Sequence, residues 1–246
     1  LSTRRQRQMC IRDRARRVLV TKPPADEIDR IVIQGINHDK INSKDQIIST
    51  TSSTTQVLAL MLKVLDQNFG IENAMMTNVH AYTSDQPLAD SVRSDLRRSR
   101  SAVENIIPNE TWAPDYVSQL LPKFKNKISG MAMNVPVANG SCVDLTTEMS
   151  SMPSIEEVNN AFKDASENEL IDLIRYTEDP IVSSDAIGGG ETMVFDSKAT
   201  MIASNKLLKT ISWFDNGWGF ANRILELSES YNCLLYTSDA ADEWIG

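Results

Sequence analysis

The strongest alternation of apolar and polar positions lies between Gln46 and Leu65. A short apolar run, Gln46–Ser49, passes through a string of hydroxyl residues into a stretch where Val57, Leu58, Met61, Leu62 and Leu65 recur at helical spacing. The pattern predicts a buried strand, a polar elbow and a helix opening at Thr54 or Thr55, with Gly70 as its C′ residue. Such an elbow aims backbone N–H groups and the positive end of a helix dipole at one spot. Ser53 stands at that spot, either as a group on an anion or nucleophile site or as a plain N-cap hydroxyl.

Upstream, Arg17–Thr21 and Ile31–Ile33 read as short strands. With Gln46–Ser49 they make three strands without an intervening helix, as at the end of a Rossmann-type α/β sheet. No GxGxxG is present, and the glycine run 188–190 opens no helix. Downstream, Ala74–Thr83 reads as a strand and Ser84–Arg100 as a long polar segment. Met131–Val137 and Cys142–Met149 alternate like long antiparallel strands. Ser154 and Glu157 form a capping box before Val158, Ala161 and Phe162, and a second helix is expected over Asn168–Arg175. Strands are expected at Ile181–Ser183, Met193–Phe195, Thr200–Ala203 and Thr210–Phe214, then a helix from about Gly219 to Ser230. The fold class is α+β: a mostly antiparallel sheet with helices on one face, preceded by the last strands of a truncated Rossmann-type α/β domain.

The two ends of the 246 residues change the reading of composition. Back-translated, Cys233–Glu243 (CLLYTSDAADE) gives a DNA whose reverse complement, in a shifted frame, reads RRQRQMCIRD, the sequence of Arg4–Asp13. Two ends written by one short duplex look like translated sequencing adapter, so 1–14 and 233–246 are set aside as artefact. A frame running out of adapter at Arg14 also predicts that the natural protein begins upstream and that this chain is a fragment. Without those ends the formal charge moves from −8 to −9, which argues against a nucleic-acid partner. Cys142 is then the one remaining cysteine, which excludes an internal disulfide framework and fits a cytoplasmic location. No apolar run of the length a membrane span requires occurs, so no membrane partner is expected.

Seven segments, in order and at matching spacing, carry a resemblance to a known family. They are GINH (35–38), NVHAYTSDQ (78–86), DLRRSR (95–100), IIP (106–108), VDLT (143–146), YTEDPIVSSD (176–185) and SWFDNGWGFANR (212–223). From Arg16 to Leu227 the chain resembles the C-terminal part of phosphorylating glyceraldehyde-3-phosphate dehydrogenase and its relative erythrose-4-phosphate dehydrogenase. The resemblance implies the end of an NAD-binding domain over 15–52, a catalytic domain over 53–215 and a C-terminal helix, 216–232, returning to the NAD-binding domain. It implies an NAD- or NADP-dependent oxidation of a sugar-phosphate aldehyde to an acyl phosphate, with inorganic phosphate as second substrate and a homotetramer as the assembly.

In this family a cysteine thiolate at a helix N-terminus attacks the aldehyde, a histidine is the base, and phosphate cleaves the thioester. His80 matches the base, 27 residues after Ser53. Substrate and phosphate contacts fall by resemblance on Ser52, Thr54, Thr83, Asp85, Arg97, Arg100, Thr111 and Asn134, and the cofactor contact on Asn216. Several positions depart from the pattern. SCTTNC reads SSTTQV, so Ser53 stands at the nucleophile and Gln56 replaces an asparagine. Asn134 replaces the arginine on substrate phosphate, and Trp112 the glycine after Thr111. Gly217 follows Asn216 in place of an acidic residue.

Taken without the resemblance, each residue has a plainer reading. His80 would be a satisfied core histidine, and Arg97, Arg98 and Arg100 a solvated loop. Asp144, Asp185 and Asp215 lack metal-ligand spacing and read as structural carboxylates, and Cys142 as a buried small hydrophobe. Three functions stay open: an impaired or altered aldehyde oxidoreductase, a non-catalytic paralogue kept for binding or regulation, and a serine-based acyl transfer with His80 as base. The third lacks an evident orienting carboxylate.

Overall fold

The computed structural model describes residues 15, 17–204 and 206–242, with 233–242 as backbone alone. Contacts divide the chain into a larger unit, Ser53–Phe220, and a smaller one formed by the chain up to Ser52 and from Ala221. The adapter-like segments 1–14 and 243–246 lie outside the described residues.

The smaller unit holds β1 (Val18–Val20), β2 (Arg30–Ile31) and β3 (Ile47–Ser49), all parallel, with β3 in the middle. Val32, Ile41 and Ile48 form its buried cluster with Leu227 and Tyr231. The Tyr231 hydroxyl donates to the Asp45 carbonyl at 2.6 Å, so burying the ring leaves no polar orphan.

The larger unit opens with α1 (Ser53–Phe69), one or two residues before the sequence expectation. Thr54 through Leu62 are all buried, as are Val64 and Leu65, so α1 is a central helix covered on all sides over most of its length. Gly70 takes φ +71 and closes it. The remaining elements are β4 (Ile71–Ala81), β5 (Ile107–Asn109), α2 (Ala113–Leu120), β6 (Ile128–Val135), β7 (Ser141–Met149), α3 (Ile155–Glu167), β8 (Ile174–Thr177), β9 (Met193–Asp196), β10 (Met201–Ala203) and β11 (Leu207–Phe214). A last helix, α4, runs over Trp218–Asp242. The expected capping box is present, with Ser154 Oγ accepting from Glu157 N and Glu157 Oε2 from Ser154 N.

The sheet is eight-stranded, in the order β5-β6-β4-β7-β11-β9-β8 with β10 on β11. Its pairings are antiparallel except β4 with β6 and β8 with β9. This is an α+β domain, with α1 resting on β4, β7 and β11 and flanked by α2 and α3.

Three expectations change, and one is met in an order that the sequence does not give. The strands over 131–137 and 142–149 are present as β6 and β7, with β4 between them and parallel to β6. Alternation reports which face is buried, not which strand is adjacent. No helix covers Asn168–Arg175: Asp172 sits at φ +65, and Leu170, Leu173 and Ile174 are buried from a turn and the start of β8. The expected strand at Ile181–Ser183 is a loop leading into a 3-10 turn at Ser183–Ala186. The last helix continues past Ser230 to Asp242, through a segment without Gly or Pro to stop it.

Candidate functional site

The site is built where the N-terminus of α1 meets the C-terminal end of β4. Residues 78 and 80 share one face of β4. The Asn78 amide donates to the buried Thr54 hydroxyl at 2.9 Å, which docks the first turn of α1 on the face that carries His80. Half-buried Ser53 is the first residue of that turn.

His80 is half-buried, with its ring edge-on to Phe214 at 6.2 Å between centroids. Its Nδ1 lies 2.6 Å from the Ala81 carbonyl. A carbonyl only accepts, so Nδ1 carries the hydrogen and the neutral ring keeps its lone pair on Nε2. Burial pulls the imidazole below its ordinary pKa, against the Ala81 hydrogen bond and the Asp85 charge, both of which raise it. The ring is therefore a neutral proton acceptor near neutral pH.

Ala81 is the centre of a wider network. Its carbonyl also receives the Asn134 amide at 3.4 Å, while Asn134 Oδ1 accepts from Asn109 at 3.2 Å. Its N–H donates to Ser141 Oγ at 3.1 Å, and that hydroxyl donates to Asn216 Oδ1 at 3.2 Å. His80, Asn134 and Asn216 are thus joined through one residue. Asn134, standing at the position matched to the family's arginine, has its polar atoms engaged within the sheet.

The phosphate candidates divide into groups. Thr83 bonds Asp85, which also accepts from Arg98, so the Arg98 charge is spent inside the loop. Burial raises the Asp85 pKa, but the Thr83 hydroxyl and Arg98 outweigh it and hold the carboxyl below its usual range. Arg100 is exposed and paired with Asp90 at 3.0 Å. Arg97 lines a cleft of about 440 Å³ with Asp95, Asn109, Glu110, Trp112 and Met131. Trp112, 63% exposed, presents its indole there. Thr111 Oγ1 accepts from Ala113 N at 3.4 Å at the start of α2, next to the cleft. Arg97 and Arg100 belong to different contacts and do not form one clamp. Ser52 is half-buried and falls in the smaller unit.

The carboxylates are engaged structurally. Asp144 pairs with Lys209 at 2.8 Å, and Asp185 accepts from Val182 N at 2.8 Å. Asp215, buried, accepts from Gly188 N, Gly217 N, Trp218 N and Asn139 Nδ2 at 2.8–3.1 Å. Among the described residues no group of three or more His, Cys, Asp or Glu forms a metal site, and no helix is long and apolar enough to cross a membrane. Burial pushes the Cys142 thiol up to about 12, so it does not stand in for the nucleophile.

Asn78, Asn109 and Ser141 escaped the sequence reading. Asn78 lies in the NVHAYTSDQ segment two residues before His80, and that period-2 spacing puts it on the His80 face without telling which atom it meets.

Residues 52–216 match the model of the family "Glyceraldehyde 3-phosphate dehydrogenase, C-terminal domain". The chain is 46% identical over 215 residues to glyceraldehyde-3-phosphate dehydrogenase 2 of Streptomyces avermitilis, covering 87% of this chain and 64% of that protein. It is 45% identical over 216 residues to the Streptomyces coelicolor enzyme, at the same coverages. It is 43% identical over 213 residues to that of Mycobacterium avium, covering 87% and 62%. The chain thus spans somewhat under two thirds of the length of these relatives. It belongs to the glyceraldehyde-3-phosphate dehydrogenase family, as a bearer of its C-terminal catalytic domain.

Proposed function

We propose that this domain is the catalytic half of an NAD- or NADP-dependent oxidoreductase that converts a sugar-phosphate aldehyde to an acyl phosphate, weakened or altered by Ser53, Asn134 and Trp112. The observation that carries the reading is the Thr54–Asn78 bond, which sets the α1 N-terminus and Ser53 on the His80 face of β4. Ser53 Oγ attacks the aldehyde carbon as its proton passes to His80 Nε2. N–H groups of the first turn of α1 stabilise the oxyanion. A bound NAD or NADP would supply the hydride acceptor, and loss of the hydride would leave the adduct as an acyl ester on Ser53. Asn216 fits a carboxamide partner, since its Oδ1 already takes the Ser141 hydroxyl and its amide nitrogen is left to donate. Phosphate then displaces Ser53 Oγ, its hydroxyl proton returning to Ser53, and the proton held by His80 leaves to solvent.

The chemistry is harder than with cysteine. A serine hydroxyl is scarcely ionised near neutral pH, and an oxygen ester is a poorer acyl donor than a thioester. Asn134 adds no charge for a substrate phosphate, and the Trp112 indole fills space where an anion would approach the backbone. Thr54, Thr83, Thr111, Arg97, Arg100 and the backbone beside Ser52 remain as anion contacts, with Asp85 orienting Thr83. A cytoplasmic homotetramer completes the proposal by family resemblance.

The engagement of Asn134 within the sheet favours a second reading, a paralogue that keeps the fold for binding or regulation. Two measurements, made on the parent chain completed by an upstream NAD-binding half and freed of its adapter-like ends, and on its Ser53→Cys variant, separate the readings. One follows reduced nicotinamide with glyceraldehyde-3-phosphate or erythrose-4-phosphate, phosphate and either cofactor. The other follows alkylation of the introduced thiol. Turnover by the parent supports Ser53 as nucleophile. Fast, His80-dependent alkylation without turnover by the parent supports a preserved site that lost its nucleophile. Slow alkylation and no turnover favour the binding paralogue.

A further inference from the structure

Resting on the reading of His80 as the base, we propose that Ser141 is a positioning residue that holds the His80 imidazole in its Nδ1–H form by fixing Ala81 and tying it to Asn216. The β4–β7 register ends at Val79 and Cys142. Past that pair, the N–H of Ala81 is taken by the Ser141 side chain at 3.1 Å. Ser141 is 1% exposed, so water does not compete for the hydroxyl. That hydroxyl accepts from Ala81 and donates to Asn216 Oδ1, and its one proton is thereby committed. The carbonyl of Ala81 shares a peptide plane with the Tyr82 N–H, which donates to the Val137 carbonyl at 3.0 Å. Ser141 holds the other plane of Ala81, and with both planes tied this carbonyl receives His80 Nδ1 at 2.6 Å.

The place of Ser141 is itself fixed by the chain before it. Gly140 has φ +85, and a Cβ there would meet the Ser183 carbonyl oxygen at 2.4 Å. The turn into β7 thus admits little alternative, and the first side chain after it lands between Ala81 and Asn216. A purely structural serine would satisfy the Ala81 N–H and end there. This one continues to the residue matched to the cofactor contact, so the base and the cofactor side of the site share one hydroxyl.

The test uses the two histidines of the chain, His38 and His80, followed by nitrogen-15 imidazole NMR on the intact protein. Ser141→Ala is expected to raise the Nε2–H form of His80 and to lower its titration midpoint by about half a pH unit or more. His38, in the other unit, serves as the unchanged reference. Ser141→Cys, with a weak donor and acceptor in the same place, is expected to fall between. An unaltered His80 pattern in folded Ser141→Ala overturns the proposal. Should that variant not fold, Asn216→Ala keeps the hydroxyl and removes its acceptor; a smaller change in the same direction supports the proposal, and none overturns it. The reading of His80 as base fails separately, if His80→Gln leaves thiol alkylation in the Ser53→Cys background unaltered.

Discussion

His80 and Asn134 stand opposite each other in the β4–β6 register, and both donate to the Ala81 carbonyl, at 2.6 and 3.4 Å. The position matched to the family's phosphate-binding arginine is therefore built into the support of the His80 ring. Asn134→Arg breaks the Asn109 contact at 3.2 Å and is expected to cost about 1 kcal/mol in phosphate-free buffer. It also brings a guanidinium to the site, so its melting temperature is expected to rise with added phosphate more than the parent's. Equal phosphate dependence in the two proteins would mean that the arginine does not reach the anion.

The lowered His80 pKa gives stability a pH dependence. Between the folded value and about 6.5, the unfolded chain binds the proton that the folded site resists. This contribution is whole above about 6.5 and is lost as pH falls below it. Asp85 and Asp215 are also held below their ordinary range, so their contributions are lost further down, beneath about pH 4. Melting temperature against pH is expected to fall in two stages, and His80→Gln to abolish the upper one alone.

Asp215 gathers four donors from three stretches of chain. Asp215→Asn replaces an acceptor oxygen with a donor facing N–H groups, and is expected to cost about 2–3 kcal/mol in urea unfolding. A loss under about 0.5 kcal/mol, the size of an ordinary surface change, would show that the carboxylate is dispensable.

Thr54→Val keeps the shape of the side chain and removes the acceptor for Asn78. Since Asn78 is buried and its Oδ1 already has no partner among the described residues, the loss is expected to be about 1–3 kcal/mol. In the Ser53→Cys background it is also expected to slow alkylation. Unchanged reactivity would separate docking of α1 from activation of the nucleophile.

Much of this fold is legible in the sequence because its long strands and α1 bury one face or all faces in simple periods. Period 2 in Cys142–Met149 and the capping box at Ser154 both come through directly. Leu170, Leu173 and Ile174 mislead because helical spacing also arises when a turn and a strand bury consecutive apolar groups. The adjacency of β4 and β6 is a tertiary choice with no local signal. In the candidate site, Ser53, His80 and Asn216 could be placed by motif. Ser141, Asn78 and Asn109 could not, because a small polar residue on a strand acquires meaning from the atom it meets.

The position of β4 has a consequence for how the protein is made. Both neighbours of this strand, β6 and β7, follow it in the chain, and the crossover to β6 runs from Tyr82 to Lys127. During synthesis β4 emerges with two unpaired edges and waits for partners that are separated from it by a long loop. The His80 support gains Ser141 only after β6 has emerged, and Phe214 and Asn216 later still, so this network is assembled late. Until β6 and β7 have emerged, β4 is an open template, and chains stalled between Ala81 and Ser141 are the species most prone to pair with one another.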